Sequence, residues 1–430
     1  MPRPLQESDI IFSPAASDLQ TALGELKRSN LSITNRLRSI KQDAEFVLEV
    51  SKAYDLPLVA NERCGSWYIT PDRKAGSAYF KSTDGHFGQW SFSLRRLNLQ
   101  VLDVLGQHGG CIIVDSTRRG KSMPDALSKT VPIWIAVLNR LLFPQESGYH
   151  VLHTPSDVVS PSEHSQIEAR IPAFVESLRE LSIDANRLWS TLVKPMRPVW
   201  ITPASNRMSE GSHNVSNYVQ GAADDSESWA LGLGPDTFWA NTDLLMTTPE
   251  SELPPLIEGI VSETSEITSM RPPTLIKPSN SIWVANNAGA EMMYAGFDVV
   301  ICCSVSASTV LAKALNDRYI HLASSTGKNG SRQLRTELPK LQILPTMLFP
   351  DSKILVTCET GRDLAVGVAL AILCSLYGSD STLRLQSTGE RPGHMSKTLI
   401  KHRLSWIMVS MPDAAPSRAT LQSVNAYLMG

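Results

Sequence analysis

The chain has 430 residues and a net charge of −2, with 42% apolar and 19% charged residues. This composition is typical of a globular protein of two or three domains and excludes an intrinsically disordered chain. The balanced charge argues against a protein whose whole surface binds nucleic acid, but it does not exclude a local basic patch. Because the N-terminus lacks the apolar core of a signal peptide and no long apolar run follows, we expect a cytoplasmic protein, or a nuclear one, with no membrane segment.

Six cysteines are spread along the sequence without a C-x-x-C pair, mostly in apolar stretches. This spacing argues against a structural zinc site and against a disulfide framework, so we expect reduced thiols. The six are Cys64, Cys111, Cys302, Cys303, Cys358 and Cys374.

The first part of the chain mixes helical and strand-like patterns. Ser32 has the side chain of a helix N-cap, and the apolar spacing after it predicts a helix from Ile33 to near Tyr54. The other predicted elements are short strands at 66–69 and 78–81, a buried strand at 110–115 that ends in an acid, an apolar helix at 131–142 and an exposed loop at 204–228.

A proline-rich stretch at 271–280 predicts a linker, because proline removes a backbone donor and restricts φ. After it, strand and helix patterns alternate, which is typical of an α/β domain with a parallel sheet. We therefore expect a mixed α+β domain of unusual fold over 1–275 and an α/β domain over 276–430. The predicted elements of the second domain are strands at 298–303, 319–322 and 353–358, helical stretches within 331–348 and a helix at 364–376.

The segment 358–367 runs from the end of a predicted strand into a predicted helix. Backbone N–H groups at such a helix start favour an anion, and Arg362 could add a bidentate contact to phosphate. We predict that Cys358, Gly361, Arg362 and Asp363 bind a phosphate of the substrate. A plain strand-to-helix turn without a ligand is the alternative.

The same segment resembles the signature loop of dual-specificity protein phosphatases, in which a cysteine is followed by five residues and then an arginine. Cys358 and Gly361 match this pattern, but Leu364 occupies the arginine position and Thr357 replaces the histidine before the cysteine. A cysteine phosphatase needs that arginine to hold the phosphoryl oxygens, so the sequence argues against phosphatase activity. The stretch 416–428 also resembles the last helix of such phosphatases.

The turn at 115–121 follows the predicted strand 110–115 and crowds cations and hydroxyls together. Such a set suits phosphate oxygens, and a carboxylate beside it could hold Mg²⁺. The turn is not a P-loop, because the first glycine of that motif should stand where Asp115 is. A solvated charged loop is the alternative. The predicted phosphate ligands are Ser116, Thr117, Arg118, Arg119 and Lys121, with Asp115 as a catalytic residue and metal ligand.

Aromatic residues alternate with cations in three segments, at 61–68, 79–86 and 90–98. Aromatic rings can stack on bases while cations meet phosphates, so these segments predict a substrate and RNA surface, although each segment alone also fits ordinary core and surface residues. The candidates are Asp84 and His86 as catalytic groups that help deprotonate a hydroxyl, Arg63 and Lys81 as substrate ligands, and Arg95 and Arg96 as RNA ligands.

A further basic cluster lies near the C-terminus and contains Lys397, Lys401, His402 and Arg403. We predict that Lys397, Lys401 and Arg403 contact RNA, because lysine and arginine neutralise phosphates. A solvated helix face is the alternative, and it is slightly favoured for this cluster by the sequence alone.

Five segments carry a resemblance to a known family: 61–68, 80–86, 114–121, 218–225 with Trp229, and 358–367. Together they resemble the initiator tRNA 2′-O-ribosyl phosphate transferases of fungi and plants. The resemblance implies a unique N-terminal domain joined to a dual-specificity-phosphatase-like C-terminal domain. It also implies a glycosyltransferase of the phosphoribosyltransferase class that uses phosphoribosyl pyrophosphate as donor and Mg²⁺ as cofactor.

The reaction that this resemblance implies is transfer of a 5-phosphoribosyl group to the 2′-hydroxyl of a T-stem adenosine, nucleotide 64, of initiator methionine tRNA. The added group would keep that tRNA out of elongation. We hypothesise that Arg118, Arg119 and Lys121 hold the leaving pyrophosphate. The alternatives are a catalytically altered, phosphatase-like module that binds phosphate or RNA, and a tRNA-binding protein without chemistry.

Overall fold

The computed structural model describes most of the chain from Ser32 to Gly430. The described residues are 32–62, 64–116, 121–181, 188, 191–203, 219–266, 270–325, 327–378, 381–384, 395–411 and 413–430. Within these ranges, no helix combines the length and the apolar character that crossing a bilayer requires.

The first sheet of the described residues has three parallel strands in the order β2–β1–β3. They are β1 (Leu58–Asn61), β2 (Lys74–Ala78) and β3 (Ile112–Val114). The central strand β1 is buried along its whole length. Because the three strands run the same way, the segments that follow them meet at one edge of the sheet, called here the first carboxyl edge.

Helices surround this sheet. They are α1 (Ile33–Tyr54), α2 (Gln100–His108), α3 (Val131–Leu142), α4 (Pro161–Glu168), α5 (Ile171–Arg179), α6 (Pro235–Ala240), α7 (Thr242–Thr247) and α8 (Leu253–Glu266). Shorter turns are 3₁₀ helices at Gly65–Tyr68, Pro71–Arg73, Ser82–Gly85, Ser147–Tyr149 and Ser226–Ser228, and a π-helical turn at Ala126–Thr130. The predicted helices from Ile33 and over 131–142 are confirmed as α1 and α3, and the Ser32 side chain caps α1 by accepting from the Asn35 N–H at 3.2 Å.

The central strand β1 separates two apolar clusters, because successive side chains of a strand point to opposite faces. Val59 packs into a cluster that contains Trp134 of α3. Leu58 and Ala60 pack into a second cluster, which contains Trp67 and is closed by the helices α1, α6 and α8. The sheet is therefore covered on both faces, and polar chemistry is left to its carboxyl edge.

The second sheet of the described residues has the strand order β4–β5–β8–β6–β7. Its strands are β4 (Thr274–Leu275), β5 (Ile282–Asn286), β6 (Val299–Ser304), β7 (Tyr319–Ala323) and β8 (Ile354–Cys358). The strand β4 pairs antiparallel with β5, and the other pairs are parallel. The strand β8, the last of the described strands along the chain, lies between β5 and β6, and such a change of strand order leaves a crevice at the carboxyl ends.

Helices also cover this second sheet. They are α9 (Asn287–Met293), α10 (Thr309–Leu315), α11 (Gly327–Glu337), α12 (Leu344–Met347), α13 (Leu364–Leu376), α14 (Lys397–Ser410) and α15 (Arg418–Met429), with 3₁₀ turns at Tyr294–Gly296, Asn316–Arg318 and Leu338–Ile343. The helix α13 is buried from Leu364 to Cys374, as expected of a helix that is apolar on all sides. The predicted strands at 298–303, 319–322 and 353–358 and the helix at 364–376 are confirmed, as is the α/β class of this region after a mixed α+β region.

Two of the predicted strands are wrong. Residues 66–69 mostly form a 3₁₀ turn, Gly65–Tyr68, and only the first residue of 78–81 belongs to β2. A Cβ on Gly65 would lie 2.3 Å from the Val114 carbonyl oxygen, so this turn packs directly on the backbone of β3. The apolar and aromatic residues at 66–68 form a compact turn that packs on the sheet. The local pattern of apolar residues does not distinguish such a turn from a short strand.

The two predicted irregular stretches also differ from expectation. In the loop at 204–228, residues 204–218 lie outside the described residues, and Ala222 and Ala223 are buried rather than exposed because they pack with Trp67 and Phe238. In the stretch at 271–280, β4 pairs with β5, so part of the predicted linker belongs to a sheet. The division of the chain at residues 275 and 276 stays a prediction.

Candidate active site

Asn61 holds the first carboxyl edge together. Its side-chain Nδ2 donates to the Phe80 carbonyl oxygen and to Asp115 Oδ2, both at 2.9 Å, and its Oδ1 accepts from the Phe80 N–H at 2.8 Å. The Asn61 side chain is fully buried. A single amide at the end of β1 therefore fixes the chain that leaves β2 and the carboxylate that follows β3.

Asp115 is held in one orientation by neighbours on both of its oxygens. Its Oδ1 accepts from the Ser116 N–H at 2.8 Å and lies 3.2 Å from the Cys64 Sγ. Tyr68 donates to Ser116 Oγ at 2.9 Å and accepts from the Ala223 N–H at 3.2 Å, and burial raises the pKa of Tyr68 well above its usual value. The segments at 61–68, 114–121 and 218–225 thus converge on Asp115.

The cationic turn that follows Asp115 is only partly described. Lys121, where the described chain resumes, donates from Nζ to Asp125 Oδ2 at 2.8 Å, and its carbonyl oxygen accepts from Gln220 Nε2 at 2.6 Å. Three predicted phosphate ligands in this turn, and one predicted substrate ligand before it, lie outside the described residues: Thr117, Arg118, Arg119 and Arg63.

Asp125 is a charged hub to which the sequence analysis assigned no role. Its carboxylate lies 2.8 Å from Lys121 Nζ, 3.1 Å from Lys129 Nζ and 3.8 Å from His86 Nε2. Burial alone would raise the pKa of Asp125, but its hydrogen bonds to Lys121 and Lys129 hold it below the ordinary value. Lys129 in turn pairs with Glu163 at 2.8 Å. The i, i+4 spacing of residues 121, 125 and 129 is the sequence signal that would have indicated this hub.

The π-helical turn at 126–130 packs against the segment that follows β2. Thr130 Oγ1 donates to the Lys81 carbonyl oxygen at 2.9 Å, and a Cβ on Gly85 would lie 2.7 Å from the Asp125 carbonyl oxygen. Single π-helical turns are often found at functional sites, because they displace a few side chains from the regular helical positions. This contact brings the segment 81–86 beside Asp125.

Asp84 and His86 follow β2, whereas Asp115 follows β3, so all three predicted catalytic residues lie at the first carboxyl edge. Asp84 Oδ1 accepts from Ser91 Oγ at 3.1 Å, and its side chain lines a small pocket together with Lys81. His86 is half exposed and faces the carboxylate of Asp125. The central strand β1 lies between β2, which precedes Asp84 and His86, and β3, which precedes Asp115.

Lys81, Arg95 and Arg96 form a cation cluster beside this pocket. The Arg96 guanidinium carbon lies 5.1 Å from the Tyr79 ring centroid, and its buried Nη1 has no hydrogen-bond partner among the described residues. Burial, together with the charges of Arg96 and Arg95, lowers the pKa of Lys81. Clustered cations with an unpaired guanidinium nitrogen are suited to an anion such as a phosphate.

Four aromatic side chains of the predicted stacking segments are core residues. Trp67, Tyr68, Phe80 and Trp90 are each 2–3% exposed. Trp134 packs edge-on against Phe80, with ring centroids 5.4 Å apart. The prediction that these four rings stack on bases is wrong, because buried rings stabilise the two clusters around β1 instead.

The loop between β8 and α13, called here the phosphatase-like loop, has the predicted strand-to-helix form. Cys358 is 3% exposed, and Gly361 has a φ of 67°, where a Cβ would lie 2.8 Å from the Ala285 backbone. Leu364, at the arginine position of the phosphatase signature, is buried in the core. Arg362 is half exposed, and its Nε lies 3.1 Å from Asp413 Oδ2. The loop therefore keeps its backbone form without the phosphatase arginine.

Two predicted ligands have structural roles instead. Asp363 Oδ1 accepts from the Ser417 N–H at 2.8 Å and from Thr420 Oγ1 at 2.5 Å, so it anchors the start of α15 and not a substrate. Arg403 is 1% exposed, donates to the Tyr377 carbonyl oxygen at 3.2 Å and stacks on Trp406. The prediction that Arg403 contacts RNA is therefore wrong, because the long side chain of an arginine on α14 points into the core.

The remaining predicted RNA ligands are at the surface. Lys397 and Lys401 are exposed on α14, and Arg95 is exposed beside the cation cluster. Arg96 is half-buried over Tyr79, which leaves it suited to a phosphate at the rim of the pocket. These residues stay predictions as RNA ligands.

Charged groups of the second region act on Tyr79, the ring beside Arg96. Asp413 binds Arg271 through two hydrogen bonds of 2.7 and 2.6 Å in addition to Arg362. Burial raises the pKa of Tyr79 to about 12, and the charges of Asp413 and Arg362 also act on this hydroxyl. The phosphatase-like loop and the first carboxyl edge are thus within electrostatic reach of each other.

A metal ion at Asp115 would need ligands from a substrate or water in addition to this carboxylate. No group of three or more His, Cys, Asp or Glu side chains suited to a metal occurs in the described ranges. Asp115 supplies one fixed carboxylate at the start of the cationic turn. Mg²⁺ is commonly bound by one or two carboxylates together with substrate phosphates and water, so Asp115 fits Mg²⁺ in that manner.

Two family models match the chain. The model of the Rit1 N-terminal domain matches residues 26–215 and 204–262, and the model of the Rit1 DUSP-like domain matches residues 318–428. An uncharacterized protein of Schizosaccharomyces pombe is 36% identical, over 92% of this chain and 94% of its own length. The tRNA A64-2′-O-ribosylphosphate transferase of Saccharomyces cerevisiae is 33% identical, over 94% of both chains.

Solved structures of phosphatases match a part of the chain. Human DUSP28 is 16% identical and covers 36% of this chain and 93% of its own, with a TM-score of 0.25. The Yvh1 phosphatase domain of Chaetomium thermophilum is 16% identical and covers 36% of this chain and 94% of its own, with a TM-score of 0.27.

Proposed function

The chain belongs to the Rit1 family, and from that membership we propose that it transfers a 5-phosphoribosyl group from phosphoribosyl pyrophosphate to the 2′-hydroxyl of adenosine 64 in initiator methionine tRNA. The relative from Saccharomyces cerevisiae, which matches along nearly the whole chain, supports a transferase that modifies tRNA. The observation that carries the proposal is the Asp115 carboxylate, fixed by Asn61 at the start of the cationic turn.

The proposed reaction makes one bond and breaks one bond at the anomeric carbon of the donor. The 2′-oxygen of the RNA bonds to this carbon, the bond to the pyrophosphate oxygen breaks, and the pyrophosphate leaves with the bonding electrons. The hydroxyl proton passes to a base of the protein. The main electrostatic demand is the charge that develops on the pyrophosphate, and bound Mg²⁺ would supply part of the neutralisation.

Asp115 orients the phosphate end of the donor in this proposal. Its carboxylate would meet the metal ion, while Arg118, Arg119 and Lys121 would meet the phosphate oxygens. Lys121 supports this role because its ammonium group is positioned by Asp125 at 2.8 Å. Binding the departing anion at fixed cations favours the transition state over the bound substrate, since charge grows on the pyrophosphate as the bond breaks.

His86 is the better of the two candidate bases. Its Nε2 lies 3.8 Å from Asp125, and a carboxylate beside an imidazole can orient it and stabilise the charged form that results when it accepts a proton. Asp84 accepts from Ser91 and lies in the pocket beside Lys81 and Arg96, which suits a carboxylate that positions cations. We therefore assign proton transfer to His86 and a supporting role to Asp84.

The phosphatase-like loop serves as a phosphate-binding element in this proposal. The absence of an arginine at Leu364 argues against a hydrolytic phosphatase, which is the rival function. Arg362 and Arg96 would each bind a phosphate of the donor or of the tRNA, because Arg362 is half exposed and Arg96 keeps a guanidinium nitrogen without a partner among the described residues. The rival predicts hydrolysis of an aryl phosphate that is lost in the Cys358→Ser variant, and we expect no hydrolysis.

The proposed function is tested with purified protein, unmodified initiator methionine tRNA transcript, phosphoribosyl pyrophosphate and Mg²⁺. Mass spectrometry of the tRNA should show the gain of one ribosyl phosphate, with release of pyrophosphate. The matched control is the same tRNA with a 2′-deoxyadenosine at nucleotide 64, which lacks the acceptor oxygen and should gain nothing. Elongator methionine tRNA tests the specificity. An unchanged mass of the intact transcript would contradict the proposal.

A further inference from the structure

Phe87 is an exposed aromatic side chain beside the proposed base. It is 71% exposed and directly follows His86 in the chain. A single exposed apolar side chain is common at protein surfaces, and Phe87 is distinguished by its position next to His86 and by its contact with Trp90. Trp90, one of the four buried rings of the predicted stacking segments, packs against Phe87, whereas the Phe87 ring itself is exposed.

A tight turn presents Phe87 at its tip. The Gln89 N–H donates to the His86 carbonyl oxygen at 2.8 Å, which closes a turn of four residues. Gly88, the third residue of the turn, has a φ of 76°, a conformation that favours glycine. The turn therefore holds the Phe87 backbone in one conformation.

Trp90 supports Phe87 from below. The two rings meet edge to face with centroids 5.4 Å apart, and Trp90 is itself 2% exposed. Trp90 Nε1 donates to Glu163 at 3.0 Å, and the Arg170 guanidinium lies 4.9 Å from its ring centroid. Arg170 also donates to the Trp90 carbonyl oxygen at 3.1 Å. Because Trp90 holds the Phe87 ring in place, the ring loses little conformational entropy when a planar partner covers it.

The cations near Phe87 favour a polyanion, such as RNA, as the molecule that supplies the planar group. The cations near this turn are Arg170, whose Nη2 lies 3.5 Å from the Gly88 carbonyl oxygen, and Lys121, which pairs with the same Asp125 carboxylate that His86 faces. The carboxylate of Asp125 is already paired with Lys121 and Lys129, so it does not repel an incoming phosphate strongly. Aromatic rings flanked by cations bind nucleobases by stacking while the cations meet the backbone phosphates.

We propose that Phe87 is a stacking platform for an unpaired nucleobase of the RNA substrate. This inference rests on the proposed function for the identity of the RNA, and it adds a residue that contacts the base. The ring would cover one face of an unstacked base, with no preference among bases beyond stacking strength. In this way Phe87 would set the position of the RNA strand relative to His86, the preceding residue in the chain.

The first test measures binding without any donor. Unmodified initiator methionine tRNA transcript is titrated into full-length protein at low salt, and the dissociation constant is measured for the wild type and for Phe87→Ala. We expect Phe87→Ala to bind roughly 10-fold more weakly, the lower part of the range for loss of one base–aromatic stack. Phe87→Trp should bind as tightly as the wild type or more tightly, since tryptophan keeps the stack.

The matched control is Phe349→Ala. Phe349 is 75% exposed, like Phe87, but follows α12 in the second region, so its removal should leave tRNA binding unchanged. An unfolding midpoint equal to that of the wild type shows that Phe87→Ala is folded, which its exposure predicts. Equal tRNA affinity of Phe87→Ala and the wild type overturns the platform, as does an equal loss in Phe349→Ala.

A spectroscopic test reports on the stack itself. In the Phe87→Trp variant, the indole emission that is additional to the wild type should be quenched when the transcript saturates the protein. Unchanged additional emission at saturation overturns the proposal even where affinity falls. Because these assays contain no phosphoribosyl pyrophosphate, they separate the two ideas: quenching without any transfer activity retains the platform and removes the proposed function, and transfer with no role for Phe87 does the reverse.

Discussion

The described residues form two sheets that contain parallel strands, and in each sheet a candidate phosphate site lies at the carboxyl ends of the parallel strands. At the first carboxyl edge, buried Asn61 orients Asp115 through a hydrogen bond of 2.9 Å. At the second, the phosphatase-like loop keeps a buried Cys358 and has Leu364 in the arginine position. The first edge therefore has an oriented carboxylate, whereas the second has a buried cysteine but no arginine at position 364.

The two sheets share parallel strands, yet this shared architecture does not determine which reaction takes place at either edge. Parallel strand ends and helix starts collect backbone N–H groups and dipoles whatever the side chains are, so both edges are suited to anions. Whether a bond is broken there depends on which side chains are present and how they are oriented. We therefore expect variants at the first edge to change the reaction, and variants at the second to change binding or stability.

The largest effect is expected for Asp115→Asn. This change removes the negative charge but keeps the shape, so transfer should fall on the order of 1,000-fold, about 4 kcal/mol of transition-state stabilisation. Rates of ribosyl phosphate transfer at saturating donor measure it. Cys358→Ser is the matched variant of the second edge and should stay within about twofold of the wild type. A comparable loss in Cys358→Ser would move the chemistry to the phosphatase-like loop.

A second pair of variants separates stability from reaction. Asn61→Ala leaves the Phe80 backbone and one Asp115 oxygen without their partner, which should cost about 2–3 kcal/mol of unfolding free energy. Asn286→Ala, at the end of β5, removes the acceptor of the Arg271 and Gly289 N–H groups and should cost a similar amount.

Denaturant unfolding measures both stability losses, and transfer is assayed at a temperature where both variants are folded. Only Asn61→Ala should also lose transfer, since Asn61 orients Asp115. Full transfer in folded Asn61→Ala would show that the orientation of Asp115 by this amide is not needed.

A third comparison concerns Arg96, which lies over Tyr79, and Arg362 of the phosphatase-like loop. Removing either guanidinium, in Arg96→Ala or Arg362→Ala, should raise a Michaelis constant about 10-fold, near 1.4 kcal/mol, with a smaller change in kcat. Steady-state kinetics with each substrate varied in turn identify whether the donor or the tRNA is affected. If the two variants raise the constants of different substrates, the cations do not share one phosphate.

The smallest effect is expected for Asp413, whose carboxyl group makes the stability of the fold depend on pH. Burial alone would raise its pKa, but the bonds to Arg271 and the charge of Arg362 hold it below the ordinary value. A carboxyl with a lowered folded pKa adds stability above its unfolded pKa, and this stability is lost as the pH falls through the folded value.

Asp413→Asn should therefore cost about 1 kcal/mol at pH 7, after allowing for solvent screening of this partly exposed group, and the difference from the wild type should shrink below about pH 4. Thermal unfolding of both proteins from pH 7 to pH 3 measures it. A difference that stays constant over this range would argue that the carboxylate charge is not the cause.

The amino-acid sequence by itself determined the elements whose pattern is long and regular. The helix from Ile33 to Tyr54, its Ser32 cap and the helix at 131–142 follow from apolar periodicity, which is a local property. The buried strands at 299–304 and 354–358 follow from short apolar runs between turns. The candidate role of Asp115 also follows from its position directly after such a run.

Only the tertiary structure decided which side chains meet and which are buried. Asn61, Phe80 and Asp115 are distant in sequence and come together because β1 pairs with both β2 and β3. Arg403 has the charge of an RNA ligand, yet packing of α14 places it in the core. Local pattern reports the period of a segment, but contacts depend on strand order and helix packing, which are set by the free energy of the whole chain.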